Sequence, residues 1–186
     1  MRIIFKYFLA FRYRFNGLLL KLFLLLCGCR VGKGLKVLRF PTFKDIPHAN
    51  ITIADNVSIG RGVIFEIPEG GSLKIGNRVT IGDYNRLSTI DRIEIDDKTA
   101  IGENVSIRGS FHGVEKGTPI IEQPSQGMPI SIGKDVLIGA YTVVLQGAQI
   151  PDGAVIGAKS LVIRSDELNS YGIFAGTPLK QIRFRE

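Results

Sequence analysis

From Ile53 onward an aliphatic side chain returns every six residues. Ile53 and Ile59 open two units, Ile75, Ile81 and Leu87 three more, and Ile95, Ile101 and Ile107 another three. After a longer break, Ile132, Ile138, Val144, Ile150 and Ile156 follow without a gap. A period of six fits neither a helix nor an alternating strand. The next residue is usually glycine, and a small or β-branched residue recurs at the fifth place. The arrangement that satisfies this pattern is a coil of short flat strands, three to a turn, with one hexad on each side. The first position points inward and stacks on its counterpart one turn away, and a side chain at the second would crowd a corner. Such repeats signal a parallel β-helix, an all-β fold. No hexad buries its aliphatic face alone, so stacked neighbours supply the stability.

The breaks in phase give the rest of the organisation. Residues 113–130, just after His112, leave the repeat and are expected to form an excursion loop of the kind that carries function in compact domains. The repeat fades after Ser165, and residues 169–186 are expected to cap the open end of the coil. The expected layout is an arm over 1–36, a β-helix over 37–168 and this cap. The 22 glycines have no collagen-like period and mark tight corners instead. The two cysteines, Cys27 and Cys29, exclude a disulfide scaffold and a four-cysteine zinc site. The two histidines, His48 and His112, cannot supply a three-histidine site, and no metal is expected.

The net charge of +7 belongs to the arm. Residues 1–44 hold ten lysines and arginines and no acid, so the remainder is slightly acidic. No nucleic-acid-binding module accompanies the basic residues, and no nucleic-acid partner is expected. Residues 1–29 mix Arg and Lys with Leu and Phe. Lys21 and the lack of a small-residue cleavage site oppose a signal peptide, and the apolar run is too short to span a bilayer. Two readings remain for the arm. It lies on an anionic membrane surface, or it packs on the protein's own body or a partner subunit.

The hexads, the histidine before the loop, and the ending Ala175-Gly176-Thr177-Pro178-Leu179-Lys180 resemble the hexapeptide-repeat acyltransferases. The likeness is to the galactoside and maltose acetyltransferases and to surface-polysaccharide O-acetyltransferases, and it spans residues 50–186. The resemblance implies a left-handed β-helix, a homotrimer with sites between subunits, and acetyl-CoA as co-substrate. It also implies that His112, at the family's catalytic position, is the general base. Imidazole suits that role because it exchanges protons near neutral pH. Leu137 stands where members often carry tryptophan.

Further site residues follow from the hexads and from the likeness. The Leu87 and Ile107 units lie three hexads apart, hence one coil apart on one face. Asp91 is therefore expected close to the layer of His112, where it orients the imidazole or holds the sugar. Asn85 loosely matches an acceptor-site asparagine of the galactoside and maltose group. On the coenzyme side, Ala140 and Ala158 are a full coil apart and leave room for a pantetheine arm, with Ser160 and Arg164 flanking the same track. Lys180 and Arg183 match basic positions near the adenosine 3′-phosphate.

The expected function is O-acetylation of a sugar hydroxyl on a surface polysaccharide or its lipid-linked precursor. The expected location is cytoplasmic, on the inner face of the cytoplasmic membrane. N-acylation of an amino sugar and a non-catalytic scaffold are the alternatives. A γ-type carbonic anhydrase lacks its histidines here. The nucleotide-binding domain often found with amino-sugar N-acyltransferases, and the helical domain of serine acetyltransferases, do not fit into residues 1–50.

Overall fold

The computed structural model describes residues 2–186, with side chains from Tyr7 onward, so Met1 and the side chains of Arg2 and Lys6 counted in the arm lie outside the described residues. Helix α1 (Arg2–Leu26) leads into a coil whose strands stack into three parallel faces. The first face runs from Arg30–Val31 through Ile51–Ile53, Ser72–Ile75, Arg92–Ile95 and Ile130–Ile132 to Gln149–Ile150. The second runs from Lys36–Val37 to Gly172–Ala175, and the third from Thr42–Phe43 to Leu161–Val162. The chain visits the three faces in turn and winds as a left-handed parallel β-helix.

The aliphatic hexad positions form the core. Ile53, Ile75, Ile95, Ile132 and Ile150 stack in register on the first face. Ile59, Ile81, Ile101, Ile138, Ile156 and Phe174 do so on the second. Phe65, Leu87, Ile107, Val144 and Val162 do so on the third. All of them are buried. The fifth position also points inward: Val57, Val79, Thr99, Val136 and Ala154 line one corner, and Val63, Asn85, Val105, Thr142 and Ser160 line the next. Glycine at the second position answers to the neighbouring coil. A Cβ on Gly139 would stand 2.4 Å from the Ala158 amide nitrogen.

The coil starts earlier than residue 37. Val31, Val37 and Phe43 are six residues apart and pair with Ile53, Ile59 and Phe65. The first coil is thus in phase with the rest, and the arm proper is α1. That helix covers the coil's open end. Leu20 and Leu24 are buried, and Gly17 passes so close to Leu35 that a Cβ would sit 1.9 Å from its carbonyl oxygen. Asn16 Nδ2 donates to Leu38 O at 3.1 Å, and Lys21 Nζ donates to Gly32 O at 2.9 Å. At the other end Lys180–Phe184 folds back antiparallel on Gly172–Ala175 and occupies the last strand edge.

The excursion is a hairpin rather than an open loop. Ser110–His112 pairs antiparallel with Ser125–Gly127. Gln123 is buried and pins the tip, accepting from Glu115 N at 2.9 Å and donating to Thr118 O at 2.8 Å. Ile130 already belongs to the coil, paired with Ile93.

Candidate active site

The hairpin leaves the coil at the corner between the third and first faces and carries His112 on its outgoing strand. The His112 ring is exposed, and Ser125 Oγ lies 3.5 Å from its Nδ1 across the hairpin. With His112, the residues Asp45, Glu66, Arg86, Arg108 and Ser125 line a cleft of about 330 Å³. These side chains come from successive coils, so the cleft runs along the corner on the N-terminal side of the hairpin. On its C-terminal side a second cleft of about 520 Å³ is lined by Met128, Leu145, Gln146, Ile163 and Arg164. The hairpin therefore separates a charged chamber from a more apolar one.

The charged chamber is built around Glu66. Its carboxylate accepts from Arg86 Nη2 and, at 3.3 Å, from Lys44 Nζ. Burial pushes the Glu66 carboxyl up, but hydrogen bonds from Arg86, Ser88 and Lys44 outweigh it and hold the group below its ordinary range. Two buried polar atoms of the same wall, Asp45 Oδ2 and Arg86 Nε, have no hydrogen-bond partner among the described residues. Unpaired groups at a cleft are costly unless a ligand or water meets them. A mixture of carboxylate acceptors and guanidinium donors suits a polyhydroxyl ligand, whose hydroxyls do both.

Among the residues expected from the sequence, His112 lies in this cleft and Asn85 does not. Asn85 occupies an inward fifth position and is 1% exposed. Its Nδ2 donates to Gly82 O and Gly102 O at 2.9 and 2.8 Å, and its Oδ1 accepts from Val105 N at 2.6 Å. Every polar atom of the amide is used in holding the corner, so the geometry does not support an acceptor role. Arg86, the next residue, faces outward and lines the cleft instead. Asp91 sits under the returning limb of the hairpin, where a Cβ on Gly127 would stand 2.7 Å from the Asp91 Cβ. It is close to the hairpin, but the carboxylates lining the His112 cleft are Asp45 and Glu66.

The coenzyme-side residues divide between two corners. Ala140 and Ala158 are third positions at the corner between the second and third faces. Going up that corner the third position changes from Arg61, Asp83 and Glu103 to Ala140, Ala158 and Gly176, which leaves a narrow uncharged strip. Gly176 escapes the sequence pattern because the last coil lacks a clean hexad. Ser160 is buried, donating to Gly157 O at 2.7 Å and accepting from Gly176 N at 3.1 Å, so it anchors the tail rather than flanking a track. Arg164 stands at the hairpin corner, its Nη1 3.8 Å from Met128 Sδ. Lys180 is exposed beside Ala175, and Arg183 is exposed beside Ile173 with Glu186 at 3.7 Å. His48 is structural: its Nε2 donates to the carbonyls of Ile67 and Pro68 at 3.1 and 3.0 Å. No group of three metal-ligating side chains occurs among the described residues.

Comparison with known proteins agrees with this architecture. The family described as bacterial transferase hexapeptide (six repeats) matches residues 129–164. The chain is 27% identical over 156 residues to WbbJ of Escherichia coli (strain K12), provisionally named a lipopolysaccharide biosynthesis O-acetyl transferase; 80% of this chain and 78% of WbbJ are covered. It is 30% identical over 142 residues to the dTDP-4-amino-4,6-dideoxy-D-glucose acyltransferase of Escherichia coli, covering 73% of this chain and 72% of the relative. Its fold matches that of AntD, an N-acyltransferase from Bacillus cereus solved as a mutant with dTDP and coenzyme A, with a TM-score of 0.72, 23% identity and 84% of each chain covered. With its core hexads in register, its repeats matched and a relative 30% identical across most of both chains, the chain belongs to the bacterial hexapeptide-repeat acyltransferases and is an enzyme of that class.

Proposed function

We propose that the protein transfers an acetyl group from acetyl-CoA to a sugar hydroxyl of a surface polysaccharide or its lipid-linked precursor, with His112 as the general base. The observation that carries this reading is the exposed His112 imidazole on a cleft whose lining includes the carboxylates of Asp45 and Glu66 and the guanidiniums of Arg86 and Arg108, groups suited to sugar hydroxyls. A sugar hydroxyl is a poor nucleophile at neutral pH and needs its proton taken during attack. His112 takes that proton as the oxygen bonds to the thioester carbonyl. It returns the proton to the departing thiolate as the carbon–sulfur bond breaks. The name of WbbJ supports O-transfer to a surface glycan.

Coenzyme A accompanies AntD in its solved structure. In this chain, Ala140, Ala158 and Lys180 offer an uncharged strip ending in an exposed cation for such a donor. They lie at a different corner from His112, so a site using both sets is completed by a neighbouring copy, in keeping with a homotrimer. Arg164, beside the second cleft, and Arg183, on the tail, are further cations for the donor's phosphates. Lys180→Glu with Arg183→Glu is expected to raise the KM for acetyl-CoA several-fold with a smaller effect on kcat. An unchanged KM counts against this donor track.

The amino-sugar relative keeps N-acylation as a second reading. The test is thiol release from acetyl-CoA with a panel of sugars. Release with hydroxyl-only sugars supports O-transfer, and release confined to amino sugars replaces it with N-transfer. Basic residues of the segment 1–29 would hold the enzyme where lipid-linked glycans are assembled, on the inner face of the cytoplasmic membrane.

A further inference from the structure

Helix α1 has two unlike faces. Gly17, Leu20 and Leu24 face the coil and are buried. On the opposite side Phe8, Phe11, Phe15, Leu18 and Leu22 recur at three- and four-residue steps and are 48–66% exposed. At roughly 100° per residue these five fill one outward sector ~80° wide, and Arg12 and Arg14 stand ~40° beyond its two borders. Both arginines are exposed. No acidic residue occurs before Asp45.

From this we infer that α1 docks flat on an anionic lipid surface, with the phenylalanine and leucine sector among the acyl chains and Arg12 and Arg14 at the headgroups. The coil already satisfies the body-facing side, so the outward sector has no partner among the described residues. Its composition and its two cationic borders match the interface of a bilayer carrying negative lipid. A second copy of the helix is the poorer occupant, because it would bring Arg12 and Arg14 against identical charges with no acid on the arm to pair them. No helix among the described residues is long and apolar enough to cross a membrane, which agrees with a helix lying in the surface.

Docking this way sets the end of the coil capped by α1 against the bilayer. Lys44 and Asp45 follow the first coil and help to form the charged chamber around Glu66 and His112. The chamber therefore begins in the coil beneath α1, and an acceptor carried on a lipid enters it from the membrane side. That consequence rests on the glycan reading above, whereas the docking itself rests only on the helix.

The test is sedimentation of the full chain with vesicles of phosphatidylcholine alone, or with about one quarter phosphatidylglycerol. The unmodified chain is expected to pellet with the anionic vesicles at least ~10-fold more than with the neutral ones, and to be released by high salt. Phe11→Glu with Leu18→Glu is expected to lower the anionic partition ~10-fold or more. Both positions are exposed, so circular dichroism and acetyl transfer to a soluble sugar should stay unchanged. An unmodified chain that remains in the supernatant overturns the proposal. So does a double variant that still pellets fully, or one whose only change is loss of oligomer by light scattering. Vesicle binding without acetyl transfer overturns the glycan reading alone, and transfer without vesicle binding overturns the docking alone.

Discussion

Glu66 and Arg86, on adjacent coils of the third face, form an ion pair in the wall of the cleft that holds His112. The pair is partly open to solvent, with side chains 31% and 27% exposed. Its direct contribution to stability is therefore modest, about 1 kcal/mol. Its larger effect is on the cleft, where it fixes a carboxylate and a guanidinium at set positions beside the imidazole.

Because Glu66 is held below its ordinary pKa in the folded chain, its stabilisation is complete above the unfolded carboxyl value of about 4.3. It is lost as pH falls through the lower folded value. Glu66→Gln removes this dependence. Thermal melts should show the unmodified chain losing more Tm than the variant between about pH 5 and pH 3. Parallel acid curves for the two proteins would remove Glu66 from the account.

Close coil stacking predicts a sharp contrast between two glycines. Gly139→Val places a Cβ 2.4 Å from the backbone nitrogen of Ala158, so the coils must part there. Overpacking of this kind costs about 1–3 kcal/mol in denaturant unfolding. A methyl group on Gly70 would have nothing within 4 Å, and the residue has no left-handed φ. Gly70→Ala should stay within about 0.5 kcal/mol. Equal losses at both sites would contradict the stacking argument.

The two cysteines should differ in reactivity. Burial, with Cys27 adding to it, pushes the Cys29 thiol up to about 11, and its Sγ donates to His48 O at 3.2 Å. Cys27 is only half-buried. The thiolate is the reactive form, so mass spectrometry after alkylation near pH 8 should find Cys29 labelled ~10-fold more slowly than Cys27. Equal labelling would mean that the junction of α1 and the coil is open.

Much of this architecture is legible in the sequence because first-position side chains do one job, packing inward, and their six-residue rhythm survives every insertion. Val31 keeps the same rhythm as Val37 and Phe43, but the lysines and glycines around it resemble the arm, so residues 30–36 of the first coil read as part of it. Asn85 and Ser160 show the limit of reading polar residues as ligands. The fifth position points inward regardless of polarity, and backbone carbonyls and amides satisfy both side chains. The wall of the cleft is hidden for a different reason. Arg86 and Glu66 meet across 20 residues, and Lys44 and Glu66 across 22, because inserted residues stretch the coils at this corner. A strict 18-residue coil does not align them. His112 is visible because it stands where the repeat breaks.

The proposed removal of the acceptor's proton by His112 is read out most directly by acceptor-dependent thiol release from acetyl-CoA. With a sugar bearing only hydroxyls, the unmodified chain should release thiol, and His112→Ala should lower kcat by about 10²–10⁴-fold. The variant's melting temperature should be unchanged, since the ring is exposed and its one hydrogen bond among the described residues is the long one to Ser125. A folded His112→Ala chain that turns over at the unmodified rate would contradict the account.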